Sequence, residues 1–354
     1  MNESENIVAE TAARIFADFA DPQTINRAAD LSWKAPLWRA LADAGLTLAW
    51  VPERQGGADA SLADGFEILR IAGRFAVSVP LAETLLAGWL LARAGISSPA
   101  GMMTVAPARP DDCISLNPDG TLSGRARGVA FARDAEYVAL LAVGAEGPSI
   151  ALVESKCCRI SDGHSLAGDP LNGIALDHAE VVHAAPAPQD FDQTSLMLMG
   201  ATIRSVEIAG ALEAILALAV NYANERVAFE RPIAKFQAVQ HNLARLAGEV
   251  AAAIAASGSA ADAIAQADAF DEAVFLEAAT AKIRSAEAAE EGAAIAHQVH
   301  GAIGFTKEHI LHRFTLRMLS WRDDFGHESY WAVRLGNMMA ARGPEQFWPL
   351  LASR

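Results

Sequence analysis

Three stretches of this chain carry side chains whose types and spacing suit chemistry. The first holds Arg226, Phe229, Phe236 and Gln237. A guanidinium is always charged and presents a planar fork of donors, which suits a pyrophosphate; the plain alternative is a surface arginine paired with Glu225 or Glu230. The second is Gln298-Val299-His300-Gly301-Ala302-Ile303-Gly304-Phe305. Its glycines would let the backbone approach a ligand more closely than any residue with a side chain permits, and the alternative is a helix end broken by glycine. The third is Trp321-Arg322-Asp323-Asp324-Phe325-Gly326-His327, where two adjacent carboxylates stand beside an arginine. Read plainly, it is a solvated acidic loop with Arg322 as partner.

Histidines 297, 300, 309 and 312 form two i,i+3 pairs, the spacing that places ligands on one helix face. A di-iron bundle would need two Glu-x-x-His elements on its helices. The helical remainder has none, and Asp324-x-x-His327 is the nearest approach, so no metal is expected. The three cysteines, Cys113, Cys157 and Cys158, are an odd number without ligand spacing, which points to a reducing, cytoplasmic setting. Trp321, Trp331 and Trp348 read as core or subunit-contact residues.

The elements that must position these groups follow from pattern and length. A chain of 354 residues exceeds what one core usually supports, and 52% apolar with 20% charged residues is an ordinary globular balance. Residues 1–101 show apolar side chains at spacings of three and four, such as Leu37 and Leu41, and read as a helical domain broken at Pro52 and Gly56. Residues 102–190 change to short β-prone runs, YVALLAV and SIALVES, between glycine and proline turns. Residues 191–354 are Ala-rich and predict a helical bundle, with Ser257-Gly258-Ser259 dividing one tract into a helix pair. The net charge of -15 opposes nucleic-acid phosphates and anionic membranes. The opening MNESENIVAETAARIF has no basic region followed by an apolar run, and no stretch is long enough to span a bilayer.

The segment from Tyr222 through Arg226, Phe229, Pro232-Ile233 and Phe236-Gln237 resembles the acyl-CoA dehydrogenase pattern of Tyr, Arg, Phe-Gly-x-Pro-Ile and Phe-Gln. The block from Gln298 to Phe305 is similar to that family's Gln-x-x-Gly-Gly-x-Gly-Phe signature, in the right order and at a suitable distance. The stretch LWRALADAGLTLAWVPERQGG resembles its early helical pair. In the β segment the family's Thr-Glu-Pro-x-x-Gly-Ser flavin loop is replaced by Thr104-Val-Ala-Pro107-Ala-Arg-Pro-Asp.

The resemblance implies a mainly α fold with a small, barrel-like β domain in the middle and a C-terminal four-helix bundle. It implies FAD as cofactor, an acyl-CoA substrate and an electron-transfer flavoprotein as acceptor. It further implies a homodimer, homotetramer or heterotetramer, because the family's FAD site combines two subunits. Carried over by position, Arg226, Phe229, Phe236, Gln237, Gln298, Val299, Gly301, Ala302 and Gly304 would contact FAD. Glu230 stands where the family has glycine. The family's base is a carboxylate that removes the α-proton of the thioester, and in ungapped register it falls on Phe325, which has no proton-accepting group; Asp324, one position earlier, is the candidate for that role. Two readings stay open: an enzyme with its own base, or a half-site subunit that completes a neighbour. Short members with an eroded flavin loop resemble paired, unlike subunits, some acting on steroid-derived CoA esters.

Overall fold

The computed structural model describes residues 3–352. The first helices are α1 (Glu3–Ala20), α2 (Pro22–Arg27), α3 (Lys34–Asp43), α4 (Leu62–Phe75) and α5 (Leu81–Arg93). Helix α4 begins where Ser61 and Asp64 satisfy each other's backbone amides in a capping box. After α5 the chain reverses at Gly95, whose φ of 71° is left-handed.

Eight strands follow: β1 (Met103–Ala106), β2 (Cys113–Leu116), β3 (Leu122–Ala130), β4 (Tyr137–Gly144), β5 (Gly147–Glu154), β6 (Arg159–Ser161), β7 (Leu171–Ala179) and β8 (His183–Pro186). They form one mixed sheet in the order β6-β7-β3-β2-β4-β5-β8, with β1 parallel to β4. The middles of the runs YVALLAV and SIALVES, Val138–Ala142 and Ile150–Val153, are apolar without alternation because β4 and β5 are covered there on both faces. Val138, Leu140, Ala151 and Val153 pack within the sheet's own core, while Ala139, Leu141, Ile150 and Leu152 meet the core that contains α5.

The remainder is helical: α6 (Gln193–Glu225), a short hairpin of β9 (Val227–Ala228) and β10 (Arg231–Pro232), α7 (Gln237–Gln266), α8 (Glu272–His300), a 3-10 turn (Gly301–Phe305), α9 (Leu311–Trp321), α10 (Glu328–Arg342) and α11 (Phe347–Ala352). The mainly α architecture around a middle sheet agrees with the expected fold class. Helices α6, α7, α8 and α9 share a core of Leu212, Ile215, Leu246, Ala289 and Phe314. One expectation is corrected: Ser257-Gly258-Ser259 does not divide α7. Ser257 is buried and bonds back to the Ile254 carbonyl, and nothing lies within 4 Å of a Cβ on Gly258, so no packing or backbone demand breaks the helix there. The break lies instead between Ala267 and Asp271, where Asp271 caps α8. Among the described residues no helix is long and apolar enough to cross a membrane.

Candidate functional site

The residues singled out in the sequence fall into two regions. The first is interior, between α5, β1, β3, α6 and the loop 322–326. Arg204 of α6, its side chain 4% exposed, is surrounded by three carboxylates: Nη2 donates to Glu83 at 2.5 Å, Nη1 to Glu207 at 2.6 Å and Nε to Asp324 at 2.9 Å. Burial alone would lower its pKa; Glu207, Glu83 and Asp324 outweigh that and hold the guanidinium charged, well above its ordinary range. Three acids around one arginine leave an excess of negative charge. Burial, reinforced by Glu83 and Asp324, pushes Glu207 up to about 7 against the opposing pull of Arg204. Lys282 of α8 is buried beside this network and donates to the Trp321 carbonyl at 2.6 Å. Burial brings it down to about 7 despite the carboxylate of Asp324.

Next to Asp324, Phe325 has a φ of 53° and buries its ring against α6 at Gly200. A Cβ on Gly200 would sit 2.3 Å from a carbon of that ring, so only glycine fits there. The Phe325 carbonyl accepts a hydrogen bond from Trp331 Nε1 at 3.0 Å. Thr104, at the position of the replaced flavin loop, uses its hydroxyl on the Ala130 carbonyl at 2.6 Å. The space enclosed by Glu83, Thr104, Ile203, Arg204, Asp324 and Phe325 amounts to about 10 Å³, room for no more than one water. Of this network the sequence analysis singled out Asp324 and missed Glu83, Arg204, Glu207 and Lys282 as its partners. For Glu83 the signal was a lone charged residue inside an apolar helical run, LAETLLAGWLL; Lys282, in AATAKIRSAEAA beside Arg284 and Glu287, carried no such signal.

The second region is on the surface. The hairpin β9–β10 pairs Ala228 with Arg231 around a two-residue loop, Phe229-Glu230, whose φ angles are 52° and 66°. Turns with both central residues left-handed favour Asn-Gly, and a phenylalanine there is strained. The strained residue presents a ring that is 90% exposed. Arg231 lies over the Phe236 ring at 4.2 Å, Phe229 meets Phe236 edge-on at 6.2 Å, and the Ile233 amide donates to the Arg226 carbonyl at 2.8 Å. Arg226 is exposed, and among the described residues neither Glu225 nor Glu230 forms an ion pair with it.

The glycine block ends α8. Gly301 has a φ of 64°, conformationally open to glycine, and Phe305 is 73% exposed. Gln237, Gln298, Gly301 and Ala302 are exposed, whereas Val299 and Gly304 are buried and Phe236 is half-buried. The structure thus gives Val299 and Gly304 a packing position and the others an outward one. The ends of α6 and α8, which lead into the hairpin and the glycine turn, lie side by side, since Tyr222 on the last turn of α6 stacks on His300 at 4.6 Å. Among the described residues no group of three or more histidines, cysteines or acids is arranged to hold a metal. Arg322 pairs with Glu328 and Glu290, not with the adjacent aspartates.

Residues 193–323 match the family described as acyl-CoA dehydrogenase, C-terminal domain. The chain is 30% identical over 319 residues to acyl-CoA dehydrogenase IpdE2 of Mycobacterium tuberculosis, covering 89% of this chain and 91% of that protein. The ChsE4–ChsE5 complex of Mycobacterium tuberculosis superposes with a TM-score of 0.85 at 22% identity, over 97% of this chain and 99% of the other. A variant of the Tcur3481–Tcur3483 steroid ACAD gives 0.82 at 26% identity, over 96% and 98%.

Proposed function

This chain belongs to the acyl-CoA dehydrogenase family, oxidoreductases acting on CH–CH groups, and from that premise we propose that it is one half of a composite FAD site, lending the dinucleotide-facing surface to a related subunit that holds the flavin ring and the base. The observation that carries this reading is the filled interior. The pocket that Glu83, Thr104, Arg204, Asp324 and Phe325 enclose holds about 10 Å³ of space, with Phe325 packed on Gly200. Asp324, the candidate base, is held by Arg204 at 2.9 Å. A buried carboxylate committed in this way is an anchor, because accepting a substrate proton would give up its charge-assisted bond to Arg204.

The surface has the opposite character and fits the dinucleotide part of FAD. Arg226 offers a free fork to the pyrophosphate. The Phe229 ring provides an apolar wall for the adenosine, with Phe236 behind it. Gln237 and Gln298 supply amide donors, and Gly301 and Ala302 expose backbone where a side chain would obstruct approach. In a chain of net charge -15, this local cation is what makes an anionic ligand acceptable. FAD, when bound, supplies the hydride acceptor for forming a Cα–Cβ double bond in an acyl-CoA, and an electron-transfer flavoprotein would take the electrons onward. Similarity to two solved pairs of unlike chains, one of them a steroid ACAD, supports a heteromeric assembly and ring-bearing acyl-CoA esters as substrates.

The test is a pair of variants in the complex with the related subunit. Arg226→Ala should weaken FAD retention by about tenfold or more, the usual worth of a charge-assisted hydrogen bond. Asp324→Asn should leave turnover per bound flavin unchanged. An Asp324→Asn complex that keeps its flavin but loses turnover would overturn the reading and make Asp324 the base.

A further inference from the structure

The histidines that form no metal site join the two halves of the surface. His300, the last residue of α8, precedes Gly301 directly. Its Nδ1 lies 2.7 Å from the Ala296 carbonyl, an acceptor only, so Nδ1 carries the hydrogen and donates. Nε2 is then a buried lone pair without a hydrogen-bond partner. The His300 ring contacts Tyr222 and His309, each at 4.6 Å, and Tyr222 meets His309 edge-on at 6.4 Å. Tyr222 stands one helical turn before Arg226, whose amide donates to the Tyr222 carbonyl at 2.8 Å. His309 lies ahead of α9 and its Nδ1 accepts from the Leu311 amide at 3.1 Å. One turn earlier on α8, His297 stacks on the exposed Phe305 at 4.5 Å. The three rings therefore connect the end of α6, which carries the hairpin, to the end of α8, which carries the glycine turn, and to the start of α9.

We propose that His300 is a positioning residue: through its ring contacts with Tyr222 and His309 it locks the arginine hairpin to the glycine turn, so that both address one dinucleotide as a single surface. The proposal rests on the reading that this surface receives a dinucleotide. The lock is pH-dependent. From α6 the titratable group in contact is the Tyr222 phenol; the flanking segment contributes exposed Lys307 and Glu308, and α9 contributes Arg313, which interacts with Arg317 and Asp169. Among the described residues no carboxylate lies within ion-pair distance of His297, His300, His309 or His312. Burial, and then the neighbouring imidazoles, hold His297 and His309 below the ordinary histidine value; burial does the same for His300, eased by the Ala296 carbonyl. For a histidine with a lowered folded pKa the stabilisation is present above about pH 6.5 and is lost as pH falls below it. Protonation would place like charges on rings in contact and loosen the joint.

Hydrogen exchange on the full chain, corrected for intrinsic rates, tests the lock, and a titration with ADP as probe tests the reading beneath it. His300→Ala should speed exchange at the Ile233 amide and across Gly301–Phe305 by about tenfold. His300→Phe keeps a stacking ring but cannot titrate, so it should stay protected and show the same exchange at about pH 7.5 and about pH 5.5, while the wild type loosens at the lower pH. Unchanged exchange in the hairpin of His300→Ala, or the same pH profile in wild type and His300→Phe, would overturn the lock. If the lock behaves as stated but ADP binds the flavin-free complex with the related subunit at neither pH, the dinucleotide reading fails and the mechanical joint stands.

Discussion

The interior and surface regions of this protein differ in what each does with its charge and its strain. Inside, Arg204 is saturated by Glu83, Glu207 and Asp324, and strained Phe325 fills the remaining space. Outside, strained Phe229 is exposed and Arg226 is unpaired among the described residues. Both regions hold non-glycine residues at positive φ, so strain alone does not mark a binding site. Exposure and an unsatisfied charge distinguish the surface proposed to take a ligand from the closed interior.

That contrast breaks most visibly if the interior network is dismantled. Replacing Arg204 with Met would strand buried carboxylates, and the expected loss is about 3–5 kcal/mol, measured by urea denaturation at neutral pH. A loss under about 1 kcal/mol would mean the network is hydrated and the pocket open. Next in size is Phe325→Ala, which removes a buried ring and should cost about 3 kcal/mol by the same measurement, partly offset by relief at the positive-φ position.

A pH comparison sharpens the picture. Glu207, raised to about 7, binds its proton more tightly in the folded state than unfolded. Its contribution is complete below about pH 4.5 and is lost as pH rises through about 7, so the difference in stability between wild type and Glu207→Gln should shift by on the order of 1–3 kcal/mol across that window. A difference independent of pH would place the titration elsewhere. Smallest is Glu230→Gly at the exposed turn, where a φ of 66° penalises a side chain. It should raise stability by about 0.5–1 kcal/mol in thermal unfolding.

These regions were unequally legible in the sequence. The surface was readable because its determinants are contiguous: Arg226, Phe229 and Gln237 lie on one hairpin and the helix that follows it, and Gln298, Gly301 and Ala302 on one helix end. The interior network draws on residues 83, 204, 207, 282 and 324, which only tertiary packing brings together. Glu83 and Lys282 sit in helices whose apolar pattern says nothing about their partners. Register did expose Phe325 as a departure, and the structure gives its place: the ring packs on Gly200. The Ser-Gly-Ser expectation failed because an exposed glycine lowers helix propensity without forcing a break in a helix held by packing.

The most direct test of the half-site account is the visible absorption spectrum of this chain purified alone in the presence of FAD, set beside the chain purified with a related dehydrogenase subunit. The account predicts a colourless protein alone and a yellow complex. A yellow chain on its own, bleached by an acyl-CoA, would contradict it.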